Sequence, residues 1–265
     1  MSMFTFPPTG AEYLSEKKAK YRASATAPLD GMWEAFTGMA DHFRINDSKG
    51  SVGYCAVNTE QKILQFFVQP QTNAPAAFRQ AVADLRITGA VVSTAEPAFL
   101  ALCMDQQKSV TDQAIMYHWA DSTRCAAAQF PVGMATKPMG KSDLKTAVAF
   151  AANTIGADAG WLESYFGGLI DRGELYGLFN GDNLVSTGEC RPSPTQPAYA
   201  DVGMIVGTGH RGKGIATNTL RWLIGESVAR GLKPICSTEQ SNIAAQKAIT
   251  RAGFTGYHRI LEIAF

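Results

Sequence analysis

The order strand, helix, strand, helix, strand is written twice in this chain, and that repetition restricts the fold more than any single residue does. The first run comprises residues 65–68 (QFFV), 74–85 (APAAFRQAVADL), 90–94 (AVVST), 96–104 (EPAFLALCM) and 113–119 (QAIMYHW). The second comprises 203–206 (GMIV), 212–228 (GKGIATNTLRWLIGESV), 234–238 (PICST), 242–254 (NIAAQKAITRAGF) and 258–263 (HRILEI). Ser-Thr follows the middle strand both times, at Ser93-Thr94 and Ser237-Thr238. The expectation is a duplicated α+β chain with domains 1–125 and 126–265 and a boundary near 122–130; its 265 residues suffice for two cores.

Local signals fill in the remainder. Asp30 can cap a helix with Met32, Trp33, Phe36, Met39 and Phe43 as its apolar positions. Residues 52–57 and 63–68 read as strands around a turn at 58–61, and 126–135 as a further strand. Ser142-Asp143 opens a helix, and a second helical stretch carries Trp161, Leu162, Tyr165 and Leu169. Residues 175–179 and 184–189 flank Asn180-Gly181-Asp182-Asn183, a hairpin turn. The helix over 214–230 places Ala216, Leu220, Leu223, Ile224, Ser227 and Val228 on one face and stops at Gly231.

Only the second copy has a glycine-rich connection between its first strand and helix, Gly207-Thr208-Gly209-His210-Arg211-Gly212-Lys213-Gly214. The first copy has Gln69-Pro70-Gln71-Thr72-Asn73-Ala74-Pro75, with no glycine to let successive amides close around an anion. Three phosphate-binding patterns overlap in the glycine stretch. Gly207-x-Gly209-x-x-Gly212 matches the dinucleotide fingerprint, but that fingerprint opens a parallel sheet, and here a hairpin precedes it. Gly207-x-x-x-x-Gly212-Lys213 is nearly a P-loop, yet Gly214 stands where Ser or Thr would hold magnesium. The third pattern is Arg211-x-x-Gly214-x-Ala216, directly between strand and helix. Amides from Gly212 through Thr217 can point at one anion, the helix dipole adds positive potential, and Arg211 and Lys213 add charge. Such a cradle needs no metal.

That third pattern resembles the pyrophosphate loop of the GCN5-related N-acetyltransferase (GNAT) superfamily, Arg/Gln-x-x-Gly-x-Gly/Ala. A second element agrees: Asn242-x-x-Ala245, running on to Gly253-Phe254, resembles that family's next helix, at the family's spacing. The resemblance covers residues 126–265, and the first half looks like a degenerate copy, as in tandem members. It implies a mixed, mostly antiparallel central sheet flanked by helices. It also implies acetyl-CoA or another acyl-CoA as co-substrate, and transfer by direct attack to a small amine or amino-acid-like acceptor. The pantetheine arm would pair with Met204, Ile205 and Val206 like an added strand. The diphosphate would rest on Arg211, Gly212, Lys213, Gly214, Ile215, Ala216 and Thr217, with Asn242 near the arm or acting only as a helix N-cap.

Attack on a thioester requires a neutral amine, and an alkylamine has a pKa of about 10, so a base, a water chain or a desolvating pocket must take its proton. Asp201 and Glu189 are the candidate bases, with Glu239 a third; each can equally be an ordinary strand-end charge. The Val206 amide is a candidate oxyanion donor, and His210 is read as a contact to cofactor or solvent. Many family members carry a tyrosine seven residues after the helix asparagine, as acid toward the thiolate; Ile249 stands there and cannot donate a proton. Two further readings stay open: a non-enzymatic acyl-CoA-binding sensor, motivated by Ile249, and an NTP-binding domain. Trp161, Tyr165 and Phe166 lie where the family lines its acceptor side, while their helical spacing assigns most of them to core packing.

The net charge of +1 argues against a strongly basic nucleic-acid surface. Five scattered cysteines without a CxxC pair or zinc spacing read as reduced core thiols of a cytoplasmic protein. No run reaches the ~18 apolar residues of a membrane span, and the first residues lack the apolar stretch of a signal peptide. The partner expected is a small amine, with no metal, nucleic acid or membrane.

Overall fold

Each half of the sequence builds a sheet, but the last strand of the chain is packed into the first. The computed structural model describes residues 3–119 and 126–265. Its packing divides the chain into Met1–Met116 with Tyr257–Phe265, and Tyr117–Gly256. The second segment of the first unit departs from the expected division at 1–125 and 126–265. The expected boundary, 122–130, lies partly outside the described residues.

The first unit begins with strand β1 (Pro8–Thr9), a 3-10 turn at Ala11–Leu14 and helices α1 (Ser15–Ala23) and α2 (Gly31–Met39). Strands β2 (Asp41–Asp47), β3 (Gly50–Val57) and β4 (Lys62–Val68) form an antiparallel meander. Helix α3 (Ala74–Asp84) crosses to β5 (Gly89–Ser93), which pairs parallel with β4; α4 (Pro97–Met104) and β6 (Ser109–His118) follow. The C-terminal strand β12 (Thr255–Ala264) pairs antiparallel with β5, and Ile263 is completely buried among Ile45, Ile63, Phe78 and Val92. Phe66, Phe78 and Phe99 pack edge to face at centroid distances of 5.0 and 6.2 Å, the arrangement favoured by the ring quadrupole.

The second unit contains β7 (Met134–Pro138), α5 (Leu144–Ile155), α6 (Ala159–Asp171), β8 (Leu175–Asn180), β9 (Asn183–Pro192), β10 (Tyr199–Val206), α7 (Ile215–Ala229), β11 (Lys233–Glu239) and α8 (Ile243–Ala252). Its strand order is β11-β10-β9-β8-β7, antiparallel except for β10 with β11. Both units thus carry the mixed, mostly antiparallel sheet expected. One part of the core lies beneath α5 and α6, around Leu162, Phe166, Leu169 and Leu175; Leu178, Val185, Val206 and Ile215 form another.

Three expectations need correction. The α2 helix does not reach Phe43: Ala40 is extended, Phe36 and Met39 are exposed, and His42 and Ile45 are buried from a strand instead. Residues 126–133 are not a strand, because Pro131 has no ladder donor and accepts the Met134 N–H in a turn (3.1 Å), so pairing starts at Met134. On α7 the buried face is turned by about one residue: Ile215, Thr219, Leu220, Leu223, Ile224 and Ser227 are covered, Ala216 is half-buried and Val228 is exposed. Cys55, Cys103, Cys190 and Cys236 are buried free thiols; Cys125 lies outside the described residues. Among the described residues no helix is long and apolar enough to cross a membrane.

One buried carboxyl in the first unit is unusual. Glu96, just before α4, accepts hydrogen bonds from the Tyr21 hydroxyl and from the Ser93 N–H (2.7 Å). Burial pushes its pKa up to about 7, against the opposing pull of those two donors.

Two outcomes are expected. Because Glu96 binds its proton more tightly folded than unfolded, its stabilising contribution is full below the ordinary carboxyl pKa and is lost as pH rises through about 7. The denaturant midpoint of the first unit should therefore fall between about pH 5 and pH 8, and Glu96→Gln should flatten that fall. Ile263→Ala should cost ~2–5 kcal/mol, with faster amide exchange in β5 and little change in β9.

Candidate functional site

The site begins where two strands part. One edge of β10 is paired with β9 from Ala200 opposite Pro192 to Val206 opposite Ser186. On its other edge β10 pairs with β11 only at Tyr199–Lys233, Ala200–Pro234 and Asp201–Ile235, although β11 continues to Glu239. Past Asp201 the second edge is open. The Gly207 N–H donates to the Val185 carbonyl (3.0 Å) and the Ser186 hydroxyl to the Ile205 carbonyl (2.9 Å), which sets the alternation of the antiparallel ladder. Odd-numbered residues face β9; Val202, Met204 and Val206 turn their backbone groups toward the opening. Ile205, expected with Met204 and Val206 as an arm-pairing residue, is therefore corrected: its backbone is used by β9 and its side chain packs under α5 and α6.

The loop after β10 is built on two left-handed glycines. A 3-10 turn at Thr208–His210 precedes Gly212 (φ 75°) and Gly214 (φ 77°), which is the N-cap of α7. The Arg211 amide reaches the Thr208 carbonyl at 3.4 Å and the Asn218 amide reaches the Gly214 carbonyl at 3.1 Å. Between them, no amide from Gly212 to Thr217 has a protein acceptor among the described residues. These are the orphan donors of a helix N-terminus extended backward through the loop, at the positive end of a 15-residue helix. The buried Ile215 pins the turn to Leu178, Val185 and Val206. Ala216 and Thr217 are half-buried, and the Thr217 hydroxyl donates to the Ala248 carbonyl at 3.4 Å.

The two cations of the loop bind it together. Arg211 donates from Nε to the Val206 carbonyl (3.3 Å) and from Nη2 to the Thr154 carbonyl (3.2 Å). Lys213 Nζ donates to the Gly209 carbonyl at 2.9 Å. Those partners are neutral, so both positive charges remain uncompensated by them. The first unit has no such loop. There the Asn73 side chain already accepts the Ala76 N–H (3.1 Å), and Pro75 has no N–H to offer.

Asn242 caps α8, with Oδ1 accepting from the Ala245 N–H at 3.1 Å. Ile249 is 3% exposed and contributes packing only. Glu239 is held by the turn before α8, accepting from the Ser241 hydroxyl (3.2 Å). His210 lies half-buried in the 3-10 turn.

Asp201 and Glu189 share one face of the sheet, since Arg191 stands opposite Asp201 and Gly203 opposite Glu189. Glu189 accepts from the Tyr165 hydroxyl at 2.7 Å and lies 3.5 Å from Arg191 Nε. Burial, and then the Glu189 carboxylate, hold the Tyr165 hydroxyl well above the usual phenol range, so it stays a neutral donor. A Cβ on Gly203 would come within 2.5 Å of Glu189 Oε1, so the carboxylate rests directly on the β10 backbone, one residue before Met204. Asp201 is buried at the last residue paired with β11. Tyr165 and Arg191 complete this cluster; Tyr165 is expected from the sequence only as an acceptor-side or core residue, and Arg191 not at all, because the register of β9 on β10 is not written locally. The expected core role holds for Phe166, which is buried, but Trp161 is exposed and stacks on Tyr165 (4.9 Å, 10°).

Residues 11–120 match the acetyltransferase (GNAT) domain model and residues 149–254 the acetyltransferase (GNAT) family model. The structure is similar to an acetyltransferase from the GNAT family from Colwellia psychrerythraea, with a TM-score of 0.91 and 38% identity over 99% of both chains. The chain belongs to the GNAT acetyltransferase family. Two more distant GNAT structures share the fold. A GCN5-related N-acetyltransferase from Sphaerobacter thermophilus has a TM-score of 0.72 and 13% identity over 99% of this chain and 95% of that one. A tandem GNAT protein from the clavulanic acid biosynthesis pathway has 0.69 and 17% over 98% of each. Among curated proteins none matches. Two GNAT copies in one chain account for the repeated element order.

The cap role of Asn242 carries its own expectation. Asn242→Ala should lower stability by ~1 kcal/mol, and Asn242→Asp should recover most of it, as read from denaturant midpoints.

Proposed function

We propose that the second unit transfers an acetyl group from acetyl-CoA to the amine of a small metabolite or amino acid. The observation that carries this reading is the run of acceptor-free amides from Gly212 to Thr217, directly after the open edge of β10. Such a run suits a diphosphate, because each N–H is already oriented and glycine leaves the approach clear. The Lys213 ammonium retains donors beyond the one given to Gly209, and Arg211 brings a second fixed positive charge to the same turn. Met204 and Val206 would take the pantetheine amides as an added strand takes its neighbour, with one of their N–H groups left for the developing oxyanion. Asn242 would border the arm while capping α8.

Bound acetyl-CoA would supply an activated acyl thioester. The amine nitrogen must lose a proton as its bond to the acyl carbon forms and the carbon–sulfur bond breaks. Glu189 is positioned to receive that proton: its carboxylate is partly open and sits against β10 beside Met204. Asp201 is deeper and would hold Arg191, keeping Glu189 in place. The four buried thiols fit a reducing, cytoplasmic setting.

Ile249 supports a second reading, in which the unit binds acyl-CoA as a sensor without fast turnover, since no hydroxyl stands there to protonate the leaving thiolate. Free CoA release across a panel of amines separates the two. Release above background hydrolysis is expected; none with any amine favours the sensor.

Acetyl-CoA should bind in isothermal titration without magnesium, and ATP should not. Gly214→Asp places a carboxylate at the mouth of the cradle and should weaken acetyl-CoA by about 100-fold, the worth of two charge-assisted hydrogen bonds. Unchanged affinity in a variant with native circular dichroism would remove the loop assignment.

A further inference from the structure

Building on the diphosphate reading of the loop after β10, we propose that Asn218 is a positioning residue of that cradle. Its side chain joins the backbone of Gln129, ahead of β7, to the Gly214–Ile215 peptide, and so aims the Ile215 N–H at the bound anion. The Gln129 N–H donates to Asn218 Oδ1 at 3.0 Å. At the other end of the same amide, Nδ2 donates to the Gly214 carbonyl at 3.2 Å, and the Asn218 backbone N–H donates to that carbonyl at 3.1 Å. The Gly214 carbonyl and the Ile215 N–H belong to one planar trans peptide and point in opposite directions. Two donors on the carbonyl hold the plane, so the acceptor-free N–H at its far side is held as well.

An ordinary α-helix gives such a carbonyl one donor, the amide four residues on. The second donor here comes from a side chain whose orientation is set from outside the helix. It acts where the loop is easiest to deform. Gly214 is left-handed at φ 77° and has no Cβ, so the peptide that follows it has little steric restraint of its own. Asn218 lies over this point: a Cβ built on Gly214 would stand 3.8 Å from Nδ2. The Asn218 amide cannot turn away without losing Gln129, and the Gln129 segment is itself anchored. Phe130 and Met134 pack on Leu178, Val185, Val206 and Ile215, the same cluster that pins the turn. Electrostatics act in the same direction, because in a chain of hydrogen bonds each link polarises the next. Donation into the Gly214 carbonyl therefore makes the Ile215 N–H a stronger donor to an anion. The side chain must be an amide for this. A carboxylate could accept from Gln129 but could not donate to Gly214, and it would set a negative charge beside the diphosphate. By linkage, an anion that draws on one end of the chain tightens the other, so diphosphate binding and the docking of Gln129 reinforce each other.

The test titrates acetyl-CoA and inorganic pyrophosphate calorimetrically into the full chain, into Asn218→Ala and into Gln129→Pro, which removes the donated N–H and leaves the Asn218 side chain in place. Each variant should bind both ligands about tenfold more weakly, the worth of one hydrogen bond to a charged group. The double variant should be no weaker than Asn218→Ala alone, since the two residues act through one chain. Asn218→Asp, which keeps the acceptor and loses the donor, should not recover the affinity. Amide exchange supplies a readout that a purely structural role would not move. In the unaltered chain pyrophosphate should slow exchange at Gln129, and in Asn218→Ala it should not. Unchanged pyrophosphate affinity in Asn218→Ala would overturn the proposal, and so would protection of Gln129 that persists in that variant. Should Asn218→Ala fail to fold, Gln129→Pro and the exchange of the unaltered chain decide in its place, and a Gln129 amide indifferent to pyrophosphate overturns the proposal. The two ligands keep this inference apart from the transfer reading. A chain that binds pyrophosphate and rejects acetyl-CoA removes the transfer reading, while the variants still decide the role of Asn218; rejection of both removes the two together.

Discussion

The parting of β10 from β11 after three paired residues governs the second unit. A strand inside a sheet normally has both edges satisfied, and an open edge is an invitation to pair. Here β11 leaves β10 after Asp201 while β9 stays paired along the other edge. β9 holds β10 flat from the other side, and the loop beyond Val206 turns away through two left-handed glycines into α7. The outward N–H groups of Met204 and Val206 and the amides of residues 212–217 therefore form two sets of donors, separated by a turn whose Gly207, His210 and Arg211 amides bond within the protein. Arg211 ties this turn to the sheet and to the end of α5 through two carbonyls, so both sets are shaped before any ligand arrives.

The two copies show how little has to change for the second set to vanish. In the first unit β4 also leaves its parallel neighbour early, after Lys62 and Ile63. What differs is the turn that follows. Asn73 accepts the amide of Ala76, and Pro75 removes another donor altogether. The same topology is thus deprived of an anion site by one side-chain cap and one imino acid, while the hydrophobic framework of the copy is retained.

Much of this was legible in the sequence because it is local. Glycine and proline positions, N-cap residues such as Asp30 and Asn242, and the period of α7 depend on neighbours within a turn or two, and the structure repeats them with shifts of about a residue. The helix read through to Phe43 failed because burial of His42 and Ile45 against other strands outweighed an apolar period. The acidic site was harder to read. Glu189 and Asp201 could be named as isolated carboxylates, but their grouping with Arg191 and Tyr165 depends on strand register and on where α6 is laid, neither of which any short segment encodes. Ile205 shows the same limit at finer scale: one step of alternation decides whether a backbone amide is free or spent.

The return of β12 to the first sheet has a consequence for synthesis. As the ribosome delivers the chain, the earlier unit waits with β5 lacking its partner until residues 257–264 emerge, and the whole of 117–256 is made in the interval. The later-made body can therefore mature first, although it begins second. A protease cut between the two bodies would not give two self-sufficient pieces, because the fragment that carries away the end of the chain takes with it a wall of the other's interior.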